Sequence, residues 1–401
     1  MQDVSPVTDS QSSQVGRSPA AQRDALLNAA RAMAPRLRER AQRCAAERRV
    51  PVATIEEFHE LGFLRLAQPR RYGGDELGWD VLCEISQILA EADGAQAWLH
   101  RLYADHAQMV STFPAEAQDE VWGNDIKSLV SASFDPVGRA KRVEGGFVFS
   151  GRHKFASGID YATWLICGGM IEDGDKLQGP HFFLVPKSAV TVIDDWDTFG
   201  LEGTGSKSFE AKDVFLPEHR LLDGELARVG RGPGTAVNTS AVYKTPRGGV
   251  TSTGFAALSV GMARSVLNEW LRFTGPRKSR GVPLELQAGN LFVAAEASGE
   301  IEAAEALYFN TISRSMRTLE AGGSLDDFDL ITARRNVALA VRMAISAGNR
   351  LFTASGANAL FNEHRLSQQY RNLLASGQHF AVNWNVHAPT YGKKLLERHP
   401  I

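Results

Sequence analysis

The sequence predicts an α+β protein in which a helical segment is followed by a small β domain and then by a bundle of long helices. Three observations carry this prediction. Apolar residues have helical spacing before residue 125, short β-branched and aromatic runs fill residues 125–225, and long helical patterns return after residue 245. With 401 residues, 43% of them hydrophobic, the chain is long enough to form more than one hydrophobic core.

Composition excludes several classes of partner. The 44 basic residues nearly balance 46 acidic residues, so no broad electrostatic field favours nucleic acid or an anionic membrane. Cys44, Cys83 and Cys167 are far apart and form no pattern typical of a disulfide framework or a zinc site. Residues 1–18 are polar, and no apolar run reaches the ~18 residues that a membrane span needs. We therefore expect a cytoplasmic protein with a disordered tail over residues 1–19 and no metal, nucleic-acid or membrane partner.

The first predicted domain, residues 20–124, is helical. Its opening stretch is rich in helix formers, with Pro35 as an expected kink or break. Thr54 and Glu57 have the spacing of a capping box at the start of the next helix. Residues 93–98, which end in the candidate residue Trp98, lead into a predicted helix in which polar groups, including the candidate residue His106, crowd an apolar face.

The second predicted domain, residues 125–232, has the pattern of a β domain. Short apolar runs alternate with Gly-rich turns, which is typical of an antiparallel sandwich or a small barrel. Residues 144–146 predict a hairpin turn. One run ends in the stretch from Phe155 to Gly158. By itself this stretch is either an ordinary strand end or a place where a flat ring comes close to the backbone.

The third predicted domain, residues 245–401, is an antiparallel four-helix bundle. Ser324 and Asp327 have capping-box spacing before the third of its helices. We expect the long helices over residues 250–273, 284–318, 326–354 and 365–388.

In this order, the three segments resemble the acyl-CoA dehydrogenase fold. Within that fold they resemble the oxygenase components of two-component flavin-dependent monooxygenases of the p-hydroxyphenylacetate hydroxylase type. The motifs that carry the resemblance lie at residues 70–74, 93–98, 131–138, 150–158, 197–206, 213–220 and 379–391. The resemblance implies a homotetramer that uses reduced FMN or FAD (FMNH2 or FADH2) and O2, with the flavin reduced by a separate NAD(P)H-dependent reductase. No Gly-x-Gly-x-x-Gly follows a predicted strand, which agrees with a separate reductase.

Three departures distinguish the chain from true dehydrogenases, and one is that residues 200–206 are similar to the monooxygenase form of this stretch. Dehydrogenases of this family need a carboxylate base near the start of the last domain or near the end of the chain, and residues 250–258 and 373–382 contain no acid. The family's Ser that helps to hold the CoA chain is also replaced in residues 134–140. Hydroxylation of a small aromatic, phenolic substrate through a C4a-hydroperoxyflavin is therefore the main expectation. The alternatives are N- or S-oxygenation and an acyl-CoA dehydrogenase-type reaction.

The resemblance also implies roles for individual residues. His379 and Ser157 match catalytic positions. His379 is expected beside flavin C4a, where a neutral imidazole either accepts a phenolic proton as a general base or hydrogen-bonds the hydroperoxide. Ser157 is expected at flavin N5 and O4. The residues expected to contact the substrate are His106, Ser133, Trp98 and Arg247. The residues expected to contact the flavin ring are Phe155, Ser157, Gly158, Ser133 and Phe134. The residues expected to hold the flavin phosphate, from different subunits, are Arg277, Ser355 and Gly356.

Overall fold

A computed structural model describes residues 19–279 and 281–398 of the chain. The predicted tail over residues 1–19 lies outside these residues except for Pro19, which begins the first helix. That helix continues through Pro35, so the predicted break at this residue is wrong. The N-terminal helices are α1 (Pro19–Ala46), α2 (Val52–Glu60), α3 (Trp79–Ala92), α4 (Gly94–Val110) and α5 (Ala115–Trp122).

The middle of the described chain forms one seven-stranded sheet with the order β5-β6-β2-β1-β3-β4-β7. The predicted hairpin at residues 144–146 is confirmed, because β1 and β2 pair antiparallel across Gly145, whose φ is +75°. The antiparallel prediction is wrong for one pair, since β1 runs parallel to β3. The strands are β1 (Val130–Val143), β2 (Gly146–Ala156), β3 (Trp164–Asp173), β4 (Lys176–Pro186), β5 (Val190–Ile193), β6 (Lys207–Pro217) and β7 (Leu221–Asp223).

Long helices return after the sheet, but the last predicted helix is wrong as a single element. It ends at Ser376, and a short 3-10 turn at residues 380–382 separates it from a further helix. Gly377 packs so closely on Ile345 that a Cβ would overlap that side chain, and His379 is extended with φ −67° and ψ 133°. The helices are α6 (Gly224–Arg228), α7 (Thr253–Thr274), α8 (Ala288–Glu320), α9 (Asp327–Thr353), α10 (Arg365–Ser376) and α11 (Trp384–Arg398).

Both predicted capping boxes are wrong in detail. The Thr54 hydroxyl donates to Gln96 Oε1 at 2.8 Å. Glu57 forms salt bridges with Arg36 and Arg40 of α1, so neither predicted side chain caps α2. Tertiary partners of opposite charge hold Glu57 more strongly than a local backbone N–H would. The box before α9 exists two residues later than predicted, and it is formed by Asp326 and Asp329.

One large core joins the N-terminal helices to the bundle, and a separate core lies inside the sheet. Met33, Leu89 and Trp98 share the first core with Val260 and Val341 of the bundle. The second core is formed by strand residues such as Phe149, Cys167 and Phe209. The helical regions therefore pack as one support against which the β domain is placed. Among the described helices, none combines the length and the apolar character that crossing a bilayer requires.

Candidate active site

A cavity of about 340 Å³ lies where the ends of β1 and β2 meet α4 and the break after α10. Its volume is within the range of small-molecule and cofactor sites, about 300–1,000 Å³. Most of its lining is aromatic or apolar, with a few polar groups that converge on the same space. Its polar lining residues are His106, Ser133, Asp135, Lys154, Ser157, Thr204, Ser206, Gln378 and His379.

The β-domain wall is built around an irregularity at the end of β2. The pairing of β2 with β6 shifts register between His153 and Ala156, so Phe155 leaves the ladder. Phe155 has φ +63°, which is unusual for a bulky residue, and its side chain is 63% exposed. Its ring is perpendicular to that of Trp196, with 6.2 Å between the ring centroids. An aromatic held outward in this way is a platform for another flat ring.

Hydroxyl groups line the same wall. Ser133 Oγ donates to the carbonyl of Lys154 at 2.7 Å, so it is tied to the strand that carries Phe155. Ser157 Oγ lies 2.7 Å from Ser206 Oγ, and Ser206 Oγ lies 2.6 Å from Thr204 Oγ1. Sequence reasoning missed Thr204 and Ser206 because the stretch around residues 203–205 has the pattern of a turn. The available signal was their place in the motif at residues 197–206.

The helical wall opposite is built from rings. His379 packs at 4.0 Å between ring centroids on Phe255 and lies 6.1 Å from Trp98. Its Nδ1 accepts the backbone N–H of Ala381 at 3.2 Å. A neutral imidazole that accepts at Nδ1 carries its proton on Nε2. Burial lowers the pKa of His379 to about 3, so the ring is neutral and presents an N–H donor.

His106 has the opposite tautomer. Its Nδ1 lies 2.7 Å from the carbonyl of Val130, and a carbonyl can only accept, so Nδ1 carries the proton. Burial lowers the pKa of His106 to about 4, despite the nearby carboxylate of Asp105, which raises it. The ring is therefore neutral near pH 7, and its Nε2 keeps a lone pair. The two cavity histidines thus provide one acceptor and one donor.

A buried ion cluster lies behind the helical wall. Arg247 Nη1 donates to Asp105 at 2.7 Å, and Arg101 approaches the same carboxylate at 3.1 Å. Burial by itself would raise the pKa of Asp105, but Arg247 and Arg101 outweigh it and lower the value to about 2. The guanidinium of Arg247 also lies 5.0 Å from the centre of the Phe134 ring. This pairing holds Arg247 behind the cavity lining.

The predicted site residues fall into two groups. Those that line the cavity are Trp98, His106, Ser133, Phe134, Phe155, Ser157 and His379. Those that do not line it are Gly158, Arg247, Arg277, Ser355 and Gly356. The Gly158 carbonyl accepts the Tyr103 hydroxyl at 2.6 Å, so this glycine supports the wall from behind. Arg277 donates to the Ser355 carbonyl at 3.2 Å, which brings two of the predicted phosphate ligands together elsewhere in the fold.

The residues present fit an isoalloxazine ring. The exposed face of Phe155 and the ring of Trp196 offer flat apolar contact, and Ser157 offers a hydroxyl at the same wall. No group of three or more His, Cys, Asp or Glu side chains in the described part of the chain is arranged to hold a metal ion. A β domain that closes a largely apolar cavity, lined by aromatic rings and hydroxyl groups, against a helical bundle is the arrangement of a flavoprotein of the acyl-CoA dehydrogenase fold.

Comparison with known proteins narrows this class. Residues 20–128 match the acyl-CoA dehydrogenase N-terminal domain, and residues 253–384 match the C-terminal domain. The flavin-dependent monooxygenase oxygenase subunit HsaA of Rhodococcus jostii (strain RHA1) is 34% identical, over 87% of this chain and 92% of its own length. The oxygenase component of p-hydroxyphenylacetate 3-hydroxylase from Acinetobacter baumannii is 28% identical, over 91% of this chain and 87% of its own length. The crystal structure of 3-HSA hydroxylase from Rhodococcus sp. RHA1 has a TM-score of 0.89 and 30% identity, covering 93% of this chain and 96% of the other.

The chain belongs to the family of flavin-dependent monooxygenase oxygenase subunits built on the acyl-CoA dehydrogenase fold. The predicted fold class, the predicted enzyme class and the dependence on reduced flavin are confirmed. As an oxygenase subunit, it works with a separate component that reduces the flavin.

Proposed function

We propose that this oxygenase component hydroxylates a small phenol, with the substrate hydroxyl bound by His106. The observation that carries the proposal is the pair of opposite tautomers in one cavity. His106 Nε2 is an acceptor because Nδ1–H is used by the Val130 carbonyl, and His379 Nε2 is a donor because Nδ1 is used by Ala381. A phenol has one O–H proton, and that proton can be donated only to an acceptor, so it pairs with His106 Nε2 and not with the N–H of His379.

The acceptor at His106 also prepares the substrate for oxygenation. A hydrogen bond from the phenolic O–H to Nε2 draws the proton away from oxygen and enriches the aromatic ring in electrons. The low pKa of His106 disfavours a stable imidazolium, so this residue orients and polarises the hydroxyl in the resting complex. The hydroxyl of Ser133 donates to the backbone carbonyl of Lys154, so its proton is already used and does not compete for the substrate oxygen.

We assign His379 the role of a hydrogen-bond donor and not that of a general base. Its Nε2–H donates into the cavity, where it stabilises negative charge that develops on oxygen during transfer. When bound, reduced flavin supplies the electrons that activate O2. Phe155 and Trp98 both line the space with aromatic surface, and an apolar lining of this kind disfavours water, which limits the loss of activated oxygen as hydrogen peroxide.

The flavin phosphate and the assembly complete the proposal. We propose that Arg277, Ser355 and Gly356 bind the phosphate of a flavin whose ring lies in the cavity of another subunit, because they do not line the cavity of their own chain. This arrangement requires an oligomer, which we propose to be a homotetramer in the cytoplasm. Large exposed apolar side chains in the C-terminal domain, including Leu291, Phe292 and Phe361, support an assembly through that region.

The test is a single-turnover reaction with chemically reduced FMN or FAD and isotopically labelled O2. The protein is mixed with phenols and with matched aryl amines and thioethers. We expect one labelled oxygen atom in the product from a phenol, with little hydrogen peroxide. If every phenol leaves all consumed oxygen as peroxide while an amine or thioether takes up the label, N- or S-oxygenation replaces the proposal.

A further inference from the structure

Three buried hydroxyl groups form a continuous chain from the cavity to the backbone. Ser157 Oγ lies 2.7 Å from Ser206 Oγ, which lies 2.6 Å from Thr204 Oγ1, and Thr204 Oγ1 donates to the Leu201 carbonyl at 2.8 Å. The three residues are 7%, 5% and 1% exposed, and all of them line the cavity. Bulk water therefore has little opportunity to interrupt the chain.

The last bond fixes the direction of the others. A carbonyl can only accept, so the single proton of Thr204 is used at Leu201. The bond between Thr204 and Ser206 must then use the proton of Ser206, and the bond between Ser206 and Ser157 must use the proton of Ser157. Ser157 Oγ consequently faces the cavity with lone pairs and no proton.

We propose that Thr204 and Ser206 are positioning residues that make this wall selective for reduced over oxidised flavin. Reduced flavin carries an N–H at N5, whereas oxidised flavin has only a lone pair there. A Ser157 oxygen that can only accept matches the N–H and repels the lone pair. The inference rests on the proposed function and on the contact between Ser157 and flavin N5 that the family resemblance implies.

The loop that carries this chain is held from the helical side. The Asn372 side chain of α10 accepts the Leu201 backbone N–H at 2.7 Å, and both residues are buried. Leu201 and Gly205, on either side of Thr204, have positive φ values of 57° and 53°. A bond from the bundle therefore fixes the carbonyl that terminates the chain of hydroxyls. These hydrogen bonds give a chemical reason for the presence of Thr204 and Ser206 in the sequence motif at residues 197–206.

The experiment measures the dissociation constants of oxidised FMN and of FMNH2, the latter under anaerobic conditions, for the wild type and four variants. Ser206→Ala leaves the Ser157 proton without its acceptor. Thr204→Val allows Ser206 to donate to Ser157 instead. Thr204→Ser keeps the hydroxyl, and Ser131→Ala removes a neighbouring buried hydroxyl that donates to the Ser157 carbonyl at 2.8 Å but lies outside the chain.

We expect the preference for FMNH2 to fall about tenfold in Ser206→Ala and Thr204→Val, the size of one hydrogen bond. A tenfold change in this ratio moves the two-electron potential of the bound flavin by about 30 mV. Thr204→Ser and Ser131→Ala should keep the wild-type ratio. An unchanged ratio in Ser206→Ala and Thr204→Val, or an equal loss of affinity for both flavins, would overturn the inference. A wild type that binds neither flavin would instead contradict the proposed function.

Discussion

The two walls of the cavity control proton positions in different ways. The β-domain wall uses short hydroxyl side chains, and a bond from Thr204 to a backbone carbonyl sets the direction of each proton. The helical wall uses buried imidazoles, and a single backbone contact to His106 or His379 selects the tautomer. A hydroxyl can rotate, so the β wall needs a chain of partners. An imidazole needs one partner, but it must also stay neutral, which burial ensures.

Lowering the pH should destabilise the protein, because its buried imidazoles are neutral in the folded state. This is the largest effect that we expect. Burial lowers the pKa of His100 and His379 to about 3 and that of His106 and His153 to about 4. Their pKa in the unfolded chain is about 6.5, so protons bind the unfolded state more strongly. Their contribution to stability is complete above about pH 6.5 and is lost as the pH falls towards 4. Each group should remove up to about 1.4 kcal/mol per pH unit in this window.

Denaturant unfolding at a series of pH values between 7 and 5 measures this slope. His153 lies between Phe149 and Phe209, and neither of its ring nitrogens has a hydrogen-bond partner among the described residues. His153→Phe should therefore reduce the number of protons taken up on unfolding, which the slope reports, by about one. Hydroxylation at pH 7.5 should stay unchanged, because His153 does not line the cavity. A slope equal to that of the wild type would show that burial does not hold this ring neutral.

The glycine behind the β wall should be the next most sensitive position. Gly158 has φ +70°, and a Cβ there would overlap the hydroxyl of Tyr103. Gly158→Ala should cost about 3 kcal/mol in the free energy of unfolding, through backbone strain and the displaced ring. Gly145→Ala is the matched control, because Gly145 has φ +75° with nothing within 4 Å of its Cβ, and it should cost only about 1 kcal/mol. Equal losses in the two variants would mean that the Tyr103 contact contributes nothing.

His106→Ala tests the helical wall directly. Loss of the acceptor for the substrate hydroxyl should slow hydroxylation about 100-fold, at the lower end of general-base effects because the pKa of His106 is low. The affinity for FMNH2 should change less than about twofold, since we assign flavin contacts to the other wall. Single-turnover rates and flavin titrations measure the two quantities separately. A parallel loss of rate and flavin affinity would remove the distinction between the walls.

Phe155→Ala should give the smallest effect. Loss of an aromatic platform is worth about 0.5–1.5 kcal/mol, so the dissociation constant of FMNH2 should rise about 2- to 13-fold. Protein stability should change little, because the Phe155 side chain is 63% exposed. Phe215→Ala removes another exposed aromatic, 53% exposed and outside the cavity lining, and should leave flavin binding unchanged. An unaltered affinity in Phe155→Ala would exclude Phe155 as the platform.

Much of the fold was predictable because its signals are local. Apolar periodicity identified the helices before residue 125 and after residue 245, and the turn at residues 144–146 identified a hairpin. Seven predicted site residues, including Ser157 and His379, do meet in one cavity. The break at Gly377 was missed, because the apolar pattern continues through it and the close contact with Ile345 comes from a different helix. Arg247 was expected to meet substrate, but its partner Asp105 lies 142 residues away in the chain.

By itself, the sequence determined the order of domains, the family motifs and the residue types available to the site, since periodicity and motif spacing are properties of neighbouring residues. The tertiary structure decided which protons those residues present. The partner of Ser157 is 49 residues distant, that of His106 is 24 residues distant, and α10 holds the Leu201 loop. Proton direction depends on which acceptor lies within hydrogen-bond distance, and only the packed chain brings these acceptors into place.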